Sequence, residues 1–180
     1  DLATQTRGVV GPVFKTPDEC LQGALDIWAE RIADNPAYRA FLKRLLTERG
    51  AVRAQKTSAA LKDTYDYYDK MTLPLKRIRA HQAMALERGH REKCLRIVFE
   101  YPETLAQEHI EAFEKPQGFI YQSLLVATVK DALSRLVMPS VENDVWGMVM
   151  EQAETESLRI FGEGVRDVLM FPPLTTAILQ

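Results

Sequence analysis

At 180 residues, with 27% charged and 46% hydrophobic side chains, the chain is long enough to bury a core of one domain or two small ones, which excludes a disordered tail and a collagenous or mucin-like chain. Two cysteines, Cys20 and Cys94, are too few and too far apart for a disulfide framework. No stretch approaches the ~18 apolar residues of a membrane span and no basic-apolar-small leader opens the chain, so a cytoplasmic protein with no membrane partner is expected.

Residues 1–15, interrupted by Gly8, Gly11 and Pro12, read as a linker or arm. Thr16-Pro17-Asp18-Glu19 then supplies an N-cap hydroxyl, a proline at the first helical position and a capping-box glutamate, and Leu21, Ala24, Leu25, Trp28 and Ile32 form one stripe. Asn35-Pro36 restarts the chain in the same way. Tyr38, Phe41, Leu42, Leu45 and Leu46 give the second helix its inner face, and Gly50 is expected as its left-handed stop.

Residues 51–55 read as an edge strand, and Cys94-Leu95-Arg96-Ile97-Val98-Phe99-Glu100-Tyr101, ended by Pro102, as its antiparallel partner. Between them, Ala80 to Gly89 reads as a short helix stopped by its glycine. Pro102 to Phe113 forms another, with Leu105, His109 or Ile110, and Phe113 inward. Ile120, Leu124, Ala127 or Thr128, Leu133, Leu136 and Val137 make a further stripe that ends at Met138-Pro139. Pro139 then opens a long helix over 139–171, with Val141, Val145, Met148, Val149, Leu158, Phe161, Val165, Val168 and Leu169 recurring at helical intervals. Residues 141–170 carry seven acids against two arginines, so its solvated face is acidic, and Gly147, Gly162 and Gly164 point to a close neighbour or a bend. The expected fold is mainly α: a multi-helical body over 16–137 with a small two-stranded β element, followed by the long C-terminal helix. With Asp1 in place of Met, and a β-branched run after Pro172-Pro173 that stops abruptly, the chain is expected to be an excised or proteolysed piece of a larger protein.

The chemistry of known catalytic motifs is not written in these residues. There is no Gly-x-Ser-x-Gly elbow and no phosphate-cradling glycine loop. His90 and Cys94 stand four apart with His81 nearby, but no fourth ligand completes a metal site, and Glu154 and Glu156 sit on a solvated helix face. A non-enzymatic chain with no cofactor is expected.

Charge is concentrated instead. From Lys76 to Arg96 seven basic residues face two acids, a local balance of +5 in a chain of −2. Lys76, Arg77, Arg79, Arg88, Arg91 and Lys93 are candidates to neutralise phosphates, His81 to make a direct contact, and Tyr65, Tyr67 and Tyr68 to stack on unpaired bases. The bland alternative packs the tyrosines over the second helix and pairs the cations with Asp63, Asp66, Asp69 and the acidic last helix.

The order Asp66-Tyr67-Tyr68-Asp69, Pro74-Leu75-Lys76-Arg77-Ile78, His81-Gln82-Ala83-Met84-Ala85-Leu86-Glu87-Arg88-Gly89 resembles the central block of the Tex family of bacterial transcription accessory proteins, with Arg79-Ala80 where that family has Pro-Ser. Lys130-Asp131-Ala132-Leu133-Ser134-Arg135-Leu136 with Pro139-Ser140-Val141-Glu142, and Ile160-Phe161-Gly162-Glu163 through Leu169 with Pro172-Pro173-Leu174, are similar to two further family blocks. The likeness runs from about Pro17 to Leu174. It implies a multidomain nucleic-acid-binding factor in which 172–180 leads into a YqgF-like domain. It also implies partners of three kinds: RNA or DNA bound through the full-length protein, the C-terminal domains of the same polypeptide, and the transcription machinery. The alternative is a docking module without direct nucleic-acid contact.

Overall fold

The computed structural model describes residues 16–57, 63–114 and 122–171. The expected arm at 1–15 and junction at 172–180 lie outside them. The chain divides into two compact units: Asp1–Val52, Pro74–Lys76 and Phe99–Trp146 form unit 1, and Arg53–Leu73, Arg77–Val98 and Gly147–Gln180 form unit 2.

Unit 1 is helical. α1 (Pro17–Asp34) starts where its local chemistry requires, with Thr16 Oγ1 accepting the Glu19 N–H at 3.2 Å. α2 (Pro36–Arg49) starts on Asn35, whose Oδ1 accepts the Ala37 N–H at 2.9 Å. α2 ends at Gly50, but not through a left-handed turn: Gly50 is extended (φ −82°, ψ 161°) and its N–H returns to Leu46 O at 2.8 Å. A Cβ there would lie 2.3 Å from that same oxygen, so closeness, not handedness, is what calls for glycine. α4 (Glu103–Glu114) turns Ala106 and Ile110 inward, while Phe113, expected inside, is 70% exposed. Phe113 instead lies edge-on to His109, which stacks flat on Phe41 with centroids 3.6 Å apart. The core of this unit collects Ile32, Tyr38, Leu42, Leu46, Ile110, Leu125, Val129, Val137 and Val141.

One carboxylate ties three elements of the unit together. Glu114 accepts from Trp28 Nε1 (2.8 Å), Tyr38 Oη (2.9 Å) and Arg31 Nη2 (3.0 Å). Burial alone would push this carboxyl up, but the three hydrogen bonds and the arginine's charge hold it below the usual glutamate value. The Tyr38 phenol moves the other way, pushed up to about 12 by burial, with the hydrogen bond to Glu114 and its charge adding to the effect.

Residues 122–169 are helical without interruption. α5 (Gln122–Asp131) runs through a widened turn at Ala132–Val137 straight into α6 (Met138–Leu169). Pro139 therefore does not break the pattern. It has no N–H to give and its ring would strike the carbonyl four residues back, and the chain avoids both by widening, with Met138 N–H reaching five residues back to Leu133 O. Of the expected core stripe of the long helix, Val141 and Val145 are buried but Met148 is already 44% exposed; Ala153, outside that stripe, is buried as well. From Leu158 onward the apolar residues face outward among the described residues, Phe161 at 70% exposure, and Gly147, Gly162 and Gly164 have nothing within 4 Å of a built Cβ.

The sheet has three strands, not two, in the order β2-β1-β3, from β1 (Ala51–Lys56), β2 (Thr72–Pro74) and β3 (Leu95–Glu100). Ala54 N–H bonds Met71 O and Leu75 N–H bonds Gly50 O, while Thr57 N–H bonds Cys94 O, so both edges run antiparallel to β1. Pro74 explains why β2 is hard to see beforehand: a strand ending in proline belongs at an edge, where a missing donor is tolerated.

Candidate nucleic-acid interface

The site lies in unit 2 and is built outward from the end of β1. Lys56 N–H donates to Asp69 Oδ1 at 2.8 Å and Lys56 Nζ pairs with Asp66. The short 3₁₀ helix Asp63–Tyr68 is followed by two turn bonds, Asp69 N–H to Asp66 O (3.1 Å) and Met71 N–H to Tyr68 O (3.2 Å). The side chain of Asp63 lies outside the described residues. Two acids that the bland reading assigns to the basic block thus engage Lys56, from a different strand, instead.

The three tyrosines separate. Tyr65 is core: it is 5% exposed and its phenol is pushed up by burial, with a hydrogen bond to Glu92 and that acid's charge adding. It packs on α3 (Ala80–Arg91) at Gly89. Tyr67 is 76% exposed, and Tyr68 meets it edge-to-face with centroids 5.4 Å apart.

α3 opens with Gln82 Oε1 accepting the Arg79 N–H at 3.1 Å, the backward half of a capping box, here without a Ser or Thr at the cap. Gly89 does not stop this helix. It is buried inside it, where the absence of a Cβ lets Leu95 and Tyr65 pack on the backbone. The stop comes four residues later. Cys94 N–H bonds Gly89 O (2.9 Å), Lys93 N–H bonds His90 O (3.0 Å), and Lys93 takes φ 57°, the left-handed position of a Schellman ending.

The cations then sort by partner. Arg91 is bound to Glu87 at 3.0 Å. Arg77, Arg79, Arg88 and Lys93 are exposed in unit 2 and take part in no ion pair among the described residues; the same holds for Lys76, which falls in unit 1. His81 is exposed in the first turn of α3, and seven residues on, along the same helical line, stands Arg88. Met84 on that line receives the Ser157 hydroxyl on its Sδ at 3.1 Å. His90 Nδ1 lies 3.3 Å from Leu95 O, Cys94 is buried, and no group of three or more His, Cys, Asp or Glu among the described residues is placed to hold a metal. One further exposed cation is not among the sequence-derived candidates: Lys70, which follows the tyrosine turn with φ 59°. Its only forewarning is its place just after Asp69.

Comparison with known proteins bears on the whole of this arrangement. Residues 7–161 match the Tex central region-like family. Among curated proteins, the chain is 28% identical over 167 residues to the uncharacterized protein YdcI of Bacillus subtilis, covering 88% of this chain and 23% of that one. It is 26% identical over 175 residues to Protein tex of Bordetella pertussis, covering 85% and 21%. It is 23% identical over 167 residues to the human S1 RNA-binding domain-containing protein 1, covering 84% and 17%. The chain spans about a fifth of the length of these relatives. The family match takes in most of both units, the tyrosine turn and all of α3, and it ends at Phe161, two residues into the third resembling block. By this match the chain belongs to the Tex central region-like family.

Proposed function

We propose that the chain is a non-enzymatic helical scaffold within a longer nucleic-acid-associated transcription factor, and that unit 2 supplies it with auxiliary phosphate contacts. The observation that carries this reading is the set of exposed cations, Arg77, Arg79, Arg88 and Lys93, left outside ion pairs while Asp66 and Asp69 are taken up by Lys56. An ordinary solvated face would interleave such cations with acids. The family match supports it, as does the name of the human relative, an S1 RNA-binding domain-containing protein.

The test is a salt titration of RNA and DNA binding with Arg77→Glu/Arg79→Glu/Arg88→Glu against wild type. Each phosphate left without its cation removes about 0.7–0.9 from the log-log salt slope, so the triple variant flattens it by roughly 2–3. An unchanged affinity and slope refutes the contact.

A second reading rests on α6. Leu158, Phe161, Val165 and Val168 follow a 3-4-3 spacing, and all are exposed. Such a face suits docking of another segment of the longer polypeptide. If the charge reversal leaves binding intact yet lowers the melting temperature of the full-length protein, the basic surface also serves docking.

A further inference from the structure

Among the described residues, two that are not glycine have positive φ, and both are lysines: Lys70 at 59° and Lys93 at 57°. Each ends a turn immediately before an edge strand, where glycine or asparagine would relieve the backbone. Both are exposed and outside any ion pair among the described residues. Both turns are also held by two adjacent residues at the end of the central strand. Lys56 fixes the Lys70 turn through Asp66 and Asp69. Thr57 fixes the other, its N–H on Cys94 O at 3.0 Å and its Oγ1 on Lys93 O at 2.6 Å. The two lysines therefore stand at one end of the sheet on opposite sides of β1, two strand spacings apart across it, with Lys93 set further along it than Lys70. Tyr67 belongs to the first of these turns, with its ring presented to solvent and braced by Tyr68.

Resting on the nucleic-acid reading above, we infer that this end of the sheet is a subsite for an unpaired nucleic-acid strand, with Lys70 and Lys93 on phosphates and the Tyr67 ring stacked on a base. A backbone held in an unfavourable conformation by a residue whose side chain makes no ion pair among the described residues points to a use for that side chain. A single exposed aromatic plane selects unpaired bases, because those of a duplex are already stacked on each other.

The experiment measures binding of the full chain to dT12, to U12 and to a blunt duplex of the same length, for wild type, Lys70→Gly/Lys93→Gly and Tyr67→Ala. The glycine double variant is expected to melt higher than wild type while binding single strands about tenfold more weakly, with a salt slope lower by about 1.4. Stability and binding moving in opposite directions separates an absent phosphate contact from a damaged fold. Tyr67→Ala weakens single-strand binding about tenfold and leaves duplex binding unchanged, and Tyr67→Phe restores it. If Arg77→Glu/Arg79→Glu/Arg88→Glu weakens binding but the glycine double variant and Tyr67→Ala do not, this subsite is overturned and the broader reading stands. If wild type binds none of the three probes at low salt, both fall.

Discussion

Gly89→Ala asks whether α3 runs through residue 89 because of what packs on it. A Cβ there would sit 2.6 Å from Leu95 Cδ1, 2.9 Å from Leu95 Cγ and 3.0 Å from Tyr65 Cε1, against about 3.5–4.0 Å for a relaxed carbon contact. Leu95 is 1% exposed, and the Tyr65 hydroxyl is tied to Glu92, so neither side chain has solvent to swing into. Overpacking of this kind costs about 1–3 kcal/mol. Replacing glycine by alanine inside a helix returns up to about 1 kcal/mol. With two contacts under 3.0 Å the clash outweighs that gain, for a net loss of up to about 2 kcal/mol, or up to roughly 8 °C in a chain of this size. Gly162→Ala in α6 meets nothing within 4 Å and keeps only the gain, so the same substitution has the opposite sign there. The assay is a far-UV circular dichroism melt with hydrogen exchange on the α3 amides. Tryptophan fluorescence is the wrong probe, since Trp28 and Trp146 both belong to unit 1. A Gly89→Ala protein melting at or above wild type would refute the packing argument.

Gly50→Ala is expected to cost more, about 2–3 kcal/mol in the same melt, because its Cβ would lie 2.3 Å from the Leu46 carbonyl oxygen, a backbone atom that cannot rotate away. Glu114→Ala strips the acceptor from Trp28 and Tyr38 and costs about 2–4 kcal/mol, read by urea unfolding on Trp28 emission; the bond from Arg31, a side chain 72% exposed, adds little. The folded carboxyl titrates below its unfolded value, so its contribution is complete above the usual ~4.3 and is lost as pH falls toward the depressed folded value. Wild type therefore shows an acid limb in unit 1 stability below about pH 4.3 that Glu114→Gln flattens; equal slopes in the two proteins would exclude Glu114 as its source.

Features whose physics is local were legible. Thr16-Pro17 and Asn35-Pro36 begin helices because cap and fixed φ act within a few residues, and β3 declares itself as an apolar, β-branched run. The misreadings share one cause, which is that a local signal has two outcomes and the tertiary neighbour chooses. Gly89 could end a helix or admit Leu95 and Tyr65, and nothing near it in sequence tells which. Pro139 could break the helix or widen it. β2 has three residues and a proline, and only its pairing with residues 50–54 makes it a strand.

The candidate site follows the same division. The concentration of charge between Lys76 and Arg96 is visible by counting, but a count cannot say which cations remain after the protein's own acids are taken up. That depends on Lys56, ten and thirteen residues before Asp66 and Asp69, and it leaves Arg77, Arg79, Arg88 and Lys93 outside ion pairs. Backbone handedness then adds what charge alone lacks. A cation on a helix face is compatible with solvation, whereas a lysine in a left-handed position occupies a site that glycine would fill at lower cost to the backbone. Two such lysines at one end of one sheet, beside an exposed tyrosine, make position and not net charge the argument for a binding surface.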